Sequence, residues 1–210
     1  MQRGLLLTVE GVDGAGKTTL VSGLAGRLHE RGQAVEVLRE PGGVELSERI
    51  RSLVKDPKLA MHPRAEALLY AAARAQLVAD QLEPRLAAGE WVLLDRFVDS
   101  SLAYQGAARG LGVEAIRRLN AFATGGLAPD RTLLLRIDPE IALARAAGRR
   151  GAADRFDREA LAFFEAIAAA YDALAASEPQ RFAVVDAARE PAAVLAECMA
   201  AVEPLLTQSP

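Results

Sequence analysis

The sequence predicts an α/β fold, a doubly wound five-stranded parallel sheet with helices on both faces, and three observations lead there. A short apolar run at residues 5–9 feeds a glycine-rich loop, and the loop feeds a segment with Leu20, Val21, Leu24 and Leu28 on one helical face. Further short apolar runs follow at residues 34–38, 91–94, 131–137 and 182–186, with helical periodicity between them. Finally, 210 residues suit one α/β domain, with a small mobile segment expected at about residues 145–156.

The loop is the most informative stretch. Gly11-Val12-Asp13-Gly14-Ala15-Gly16-Lys17-Thr18 fills every fixed position of G-x-x-x-x-G-K-[ST], and Thr19 follows it. Glycines let successive backbone N–H groups turn inward onto phosphate oxygens, and the following helix adds its positive end. Lys17 can then reach the β- and γ-phosphates, while Thr18 offers a hydroxyl to Mg²⁺. Strand, loop and helix stand in the order this chemistry needs, which makes the fold P-loop NTPase-type and a nucleoside triphosphate the expected ligand.

Composition narrows the partners. A formal charge of −3 gives no global basic field, so no nucleic-acid polymer is expected. No apolar stretch approaches the roughly 20 residues that span a bilayer, so no membrane contact is expected either. The first apolar run is short and enters the loop directly, which predicts a cytoplasmic chain without a signal peptide. Cys198 stands alone and excludes an intramolecular disulfide. His29 and His62 lie away from every cluster and are expected at the surface.

The second strand delivers Arg39-Glu40-Pro41-Gly42-Gly43 at its carboxyl end, where open parallel sheets hold ligands. Leu46, Ile50, Leu53 and Val54 mark a short amphipathic helix that carries Arg51. Pro63 suits the first turn of a longer helix, on which Tyr70 and Arg74 stand one turn apart, a ring and a guanidinium on one face. That pair can stack on a planar base and bond its edge. The third strand ends in Asp95-Arg96-Phe97, placing a carboxylate near a metal and a bidentate phosphate clamp beside it. Ser100, Ser101, Tyr104 and Gln105 then share one helical face, as a pocket wall for a polar planar ligand would. Gly125, Gly126 and Pro129 break the chain before the fourth strand, and Asp138-Pro139-Glu140 opens a helix with a capping side chain and an N1 proline. That helix leads to Arg145, Arg149, Arg150 and Arg155 around two glycines, a composition suited to a lid closing over polyphosphate.

Taken together, these segments closely resemble bacterial thymidylate kinases over nearly the full length. The likeness rests on residues 10–19, Arg39 to Gly43, Tyr70 with Arg74, Asp95 to Gly106, and the arginine-rich lid. What it implies is transfer of the γ-phosphoryl group of ATP to dTMP. By that resemblance Tyr70 stacks on thymine where the family usually has Phe, and Arg74 donates to a base carbonyl. Ser101 and Gln105 line the base and sugar region, Ser100 is among the substrate-binding residues, Tyr104 crowds the 2′ position, and Asp13 meets the 3′-hydroxyl. Arg51 and Arg96 hold the monophosphate with Pro41 near them, Glu40 and Asp95 join Thr18 near the metal, and Arg145 lies by the nucleotide. Gly14 occupies the place where some members carry an arginine, so Arg149 and Arg150 of the lid are the expected catalytic arginines, together with Lys17, Asp95 and Arg96. Val44 and Arg136 depart from the usual Thr and acidic residue. A homodimer is implied on the same ground. A kinase for another nucleoside monophosphate or a deoxynucleoside, and a regulatory P-loop ATPase, are the rival readings.

Overall fold

The computed structural model describes residues 3–148 and 160–206. Five parallel strands form its sheet: β1 (Leu6–Glu10), β2 (Val35–Arg39), β3 (Trp91–Asp95), β4 (Arg131–Arg136) and β5 (Phe182–Asp186), in spatial order β2-β3-β1-β4-β5. The expected fold class is the one observed. Boundaries shift by a residue: β1 extends through Glu10 and β2 through Arg39, while β3 takes in Asp95, paired with Arg39 in register. Charged residues ended the apolar runs in the sequence, yet backbone pairing continues through them: the Arg39 and Asp95 side chains enter the cleft beyond the strand ends, and the Glu10 carboxylate is buried among hydrogen-bond donors.

Helix α1 (Lys17–Glu30) follows the glycine loop, and α2 (Glu45–Lys55) and α3 (Pro63–Leu77) follow β2. Exposed His62 caps α3, its Nδ1 accepting from the Arg64 backbone N–H at 3.2 Å, and Pro63 takes the first helical position. A π-helical turn, Val78–Leu82, carries α3 into the short α4 (Glu83–Ala87). After β3 comes α5 (Val98–Ser101), continuous with a second π-helical stretch, Leu102–Ala108, and then α6 (Val113–Thr124). The chain closes through α7 (Pro139–Ala147), α8 (Leu161–Ser177) and α9 (Pro191–Leu206). Asp138 caps α7 as its sequence implies, accepting from the Glu140 and Ile141 N–H groups at 2.9 and 3.3 Å.

Strand alternation divides the core. Leu7, Val9 and Leu93 pack with Leu20, Leu24 and Leu28 of α1 and with Val194, Cys198 and Val202 of α9. Leu6, Val92 and Leu94 meet Leu77, Leu82, Leu86 and Phe97 instead. At roughly 25 cal/mol per Å² of apolar surface removed from water, these layers hold the strands in register and fix where their carboxyl ends emerge.

Candidate active site

The loop after β1 takes the backbone shape its glycines allow. Gly14 (φ +88°) and Gly16 (φ +94°) lie in the left-handed region. Gly14 also lies against α7, since a Cβ there would sit 2.2 Å from the Ala142 carbonyl oxygen. An arginine at this position has no room, which gives a packing reason for Gly14. Lys17 is buried and folds back on the loop, its Nζ donating to Gly11 O at 3.0 Å and Val12 O at 2.8 Å. Burial, with Arg96 adding to it, lowers Lys17 from 10.5 to about 8. Its contacts are with neutral carbonyls, so an arriving phosphate offers the ammonium a better partner.

At the end of β3, Arg96 has φ +70°, rare for a residue with a Cβ. Its surroundings hold it there. Nη1 donates to Gly11 O (3.1 Å) and Ser100 Oγ (3.0 Å), Nη2 to Asp13 Oδ1 (2.9 Å) and Tyr104 Oη (3.2 Å), and the guanidinium stands 5.0 Å from the Tyr104 ring centre. Burial works against its charge, but Tyr104 and Asp13 hold the group above its ordinary value. Tyr104 in turn donates to Asp13 Oδ2 at 3.0 Å.

Behind this clamp lies a residue that sequence reasoning did not assign a role. Glu10 is fully buried and accepts from the backbone N–H of Phe97 (2.7 Å) and Ser100 (3.3 Å), from Ser100 Oγ (2.6 Å) and from Tyr171 Oη (2.8 Å). It thus caps the four-residue α5 from a neighbouring strand and ties β1 to α8. Burial, and then the Asp99 carboxylate, push Glu10 up from 4.5 to about 7, against the pull of Ser100, Arg96 and Tyr171. Asp99 itself is held bidentately by Arg181 at 2.6 and 2.9 Å.

The other wall of the cleft comes from β2, α3 and the π-helical stretch. Arg74 is only 2 % exposed, and every nitrogen of its guanidinium is engaged. Nε donates to Glu40 Oε2 at 2.8 Å, Nη1 to Ser101 Oγ at 2.9 Å and to Asn120 Oδ1, and Nη2 to Phe97 O at 3.0 Å while lying 2.6 Å from Glu40 Oε2. A direct bond from Arg74 to a base would have to share or exchange one of these. Burial raises Glu40, and Arg74 opposes the shift. Arg51 Nη1 donates to Pro41 O at 2.8 Å. The i→i+5 winding of residues Leu102–Ala108 keeps Tyr104 and Gln105 on the cleft side with Ser100 and Ser101.

Three buried side-chain atoms lack a hydrogen-bond partner among the described residues, and two of them are Glu40 Oε1 and Asp95 Oδ1. Both carboxylates line the cleft with Thr18. Unspent anionic oxygens fit a hard divalent cation such as Mg²⁺. No group of three or more His, Cys, Asp or Glu among the described residues builds a cage, which suits an ion that takes its other ligands from phosphates and water.

The cleft has a volume of about 410 Å³ and gathers most of the residues singled out from the sequence. Asp13, Gly14, Gly16, Lys17, Thr18 and Thr19 line it from the loop; Glu40, Pro41, Arg51, Tyr70 and Arg74 from β2 to α3; Asp95, Arg96, Ser100, Ser101, Tyr104 and Gln105 from β3 onward; Arg145 from α7. Gly11, Val12 and Ala15 serve it through the buried loop backbone, and Arg145 Nη1 also donates to Ala187 O at 3.1 Å. Arg149 and Arg150 lie outside the described residues. Arg39 and Lys55 line the cleft although no role was assigned to them; a basic side chain on the same amphipathic helix as Arg51 was the available signal for Lys55. Nothing in the local sequence marked Glu66, Asn120 or Tyr171, whose partners lie 39 to 161 residues away. Arg136, a departure from the usual pattern, is paired with Asp172 at 2.9 Å.

The family model described as thymidylate kinase matches residues 9–198. The chain is 50% identical over 202 residues to a thymidylate kinase of Deinococcus radiodurans, covering 96% of this chain and 98% of that one. It is 48% identical to that of Latilactobacillus sakei subsp. sakei, covering 93% of each, and 50% identical to that of Pseudomonas entomophila, covering 91% of each. With its glycine loop, its Asp95-Arg96 pair and its polar cleft wall in place, the chain belongs to the thymidylate kinase family.

Proposed function

We propose that the protein phosphorylates dTMP with ATP, giving dTDP and ADP. The observation that carries this is a single cleft in which a triphosphate loop and an arginine clamp adjoin a wall of Tyr70, Arg74, Ser101 and Gln105. A phosphate oxygen of dTMP attacks the γ-phosphorus of ATP, and the bond from that phosphorus to the β-bridging oxygen breaks. No general base is needed, because the acceptor phosphate has a second pKa of about 6 and is mostly a dianion at neutral pH. The protein's part is positioning and charge neutralisation.

Lys17 leaves the loop carbonyls for the β- and γ-phosphates, and Arg96 and Arg51 hold the acceptor phosphate. Tyr70 stacks on the base, Tyr104 crowds the 2′ position, and Asp13 meets the sugar 3′-hydroxyl. Thr18, Asp95 and Glu40 would hold Mg²⁺ directly or through its waters, and the bound cation supplies charge stabilisation to the phosphates. Arg149 and Arg150 supply positive charge to the transferring group, and Arg145 borders the nucleotide. Phe122 on α6 (90 % exposed) and Leu68 on α3 (59 % exposed) are large apolar side chains left in solvent, and such exposure supports a homodimer. No helix among the described residues is long and apolar enough to cross a membrane; the cytoplasmic location expected from the sequence is kept as part of this proposal.

The test is Mg²⁺-dependent ADP release across dTMP, dUMP, dCMP, dGMP, AMP, UMP and thymidine. Strong preference for dTMP is expected. Preference for another acceptor would overturn the base assignments while leaving the loop and clamp, and turnover independent of any acceptor would favour a regulatory ATPase.

A further inference from the structure

Glu66 is a buried carboxylate that the phosphoryl transfer does not use. It lies on α3, one helical turn before Tyr70, and Gln105 Nε2 donates to its Oε1 at 2.9 Å. Arg109 Nε approaches the same oxygen at 3.4 Å, and its guanidinium stands 4.6 Å from the Phe163 ring centre. A carboxylate can accept hydrogen bonds but has none to give. The two ends of the Gln105 amide are therefore not interchangeable: the nitrogen must face Glu66, and the carbonyl oxygen must turn away from it. That oxygen takes no hydrogen bond from the described residues, on a side chain that lines the cleft. Ser101 beside it accepts from Arg74, which leaves its hydroxyl proton to donate.

We propose that Glu66 is a positioning residue for base selection, fixing the Gln105 amide so that the cleft meets an acceptor and only a base with a ring N–H on that edge is matched. The inference rests on the reading that a pyrimidine base occupies this wall. Thymine and uracil carry a hydrogen on N3, whereas cytosine has a bare acceptor there. Facing Gln105 Oε1, cytosine would set two lone pairs against each other in a site with little water. Neighbouring Ser101 complements the same choice, since its hydroxyl can donate to the O4 carbonyl of thymine but meets an amino group on cytosine.

Glu66→Gln tests this. The new side chain is nearly the same size, but its amide can present either a donor or an acceptor, so Gln105 is free to turn over. The ratio of kcat/KM for dTMP to that for dCMP, or of their inhibition constants where dCMP does not turn over, is expected to fall at least tenfold, roughly one hydrogen bond's worth. A purely structural role would lower both substrates alike and keep the ratio; that result overturns the proposal. Gln105→Met separates the two layers of the argument. If Gln105→Met collapses the ratio and Glu66→Gln does not, the positioning role fails while the base reading stands. If Gln105→Met leaves the ratio intact, Gln105 does not read the base, and the site assignment fails with it. Should Glu66→Gln not fold, Glu66→Asp, which keeps the charge but withdraws the acceptor from Gln105 Nε2, gives a second test: a ratio at least tenfold lower is expected, and an unchanged ratio overturns the proposal.

Discussion

Replacing Glu10 by Gln should make the protein more stable at neutral and alkaline pH while impairing catalysis. Glu10 is fully buried, and burial with Asp99 raises it from 4.5 to about 7. Between those values the folded chain holds a proton that the unfolded chain has released, so the carboxylate costs stability as pH rises through that window. The cost is complete above the upper value and amounts to about 3 kcal/mol at 1.36 kcal/mol per pH unit. Gln resembles the protonated carboxyl. It accepts at one end from the Phe97 and Ser100 N–H groups and can donate at the other to Ser100 Oγ or Tyr171 Oη, each of which can reverse its role. Urea denaturation of both proteins from acid to alkaline pH measures the difference. The variant should match the parent near the lower end of the window and exceed it by about 3 kcal/mol above the upper end. A difference independent of pH would refute the reasoning. Activity should move the other way, because a neutral group no longer balances Arg96 or caps α5 with full charge; such opposition of stability and function is common at active sites.

Lys17 titrates to about 8 in the free protein, and phosphate should restore its charge. ATP binding above that pH should take up nearly one proton more than binding at neutral pH, seen by calorimetry in buffers of different ionisation enthalpy; an uptake that survives in Lys17→Met would remove Lys17 from the account. Gly14→Ala combines a left-handed φ with a Cβ 2.2 Å from Ala142 O. The conformation alone costs roughly 1–2 kcal/mol, so Tm should fall by several degrees and the KM for ATP should rise, whereas unchanged values would contradict the packing. Of Arg149→Ala and Arg150→Ala, the one that removes the arginine reaching the transferring group should lower kcat by roughly 10³ to 10⁵ with little change in KM for dTMP; unchanged kcat in both and in the double variant would refute the lid role.

Much of the candidate site was legible because it is local. The glycine loop, the helix that follows it and the Asp95-Arg96 pair at a strand end are encoded within a few residues of one another, and backbone preference and hydrophobic period suffice to read them. Even the four polar residues at positions 100–105 showed their common side, although the winding there is π rather than α. Element ends were less legible. Glu10, Arg39 and Asp95 belong to strands, and their charges disguised it: Glu10 is held by donors from α5 and α8, Arg39 pairs with Glu48 of α2, and Asp95 opens onto the cleft. The helices α4 and α6 also went unread, the first short and contiguous with α3, the second lying beyond the polar segment that had drawn the functional argument.

What the sequence by itself determined is therefore the fold class, which strand ends carry the candidate site's polar residues, and a loop whose glycine pattern suits phosphate. Tertiary structure alone decided which groups stand behind the reacting ones. Arg74 is wholly engaged because Glu40, Phe97 with Ser101, and Asn120 converge on it from three separate segments. Glu10 joins β1, α5 and α8 through a single carboxylate, and Glu66 orients Gln105 from 39 residues away. The physical reason is one of range. Backbone conformation and hydrophobic periodicity act over a few residues, whereas hydrogen-bond partners and the desolvation that shifts a pKa depend on what packing brings within about 3 Å.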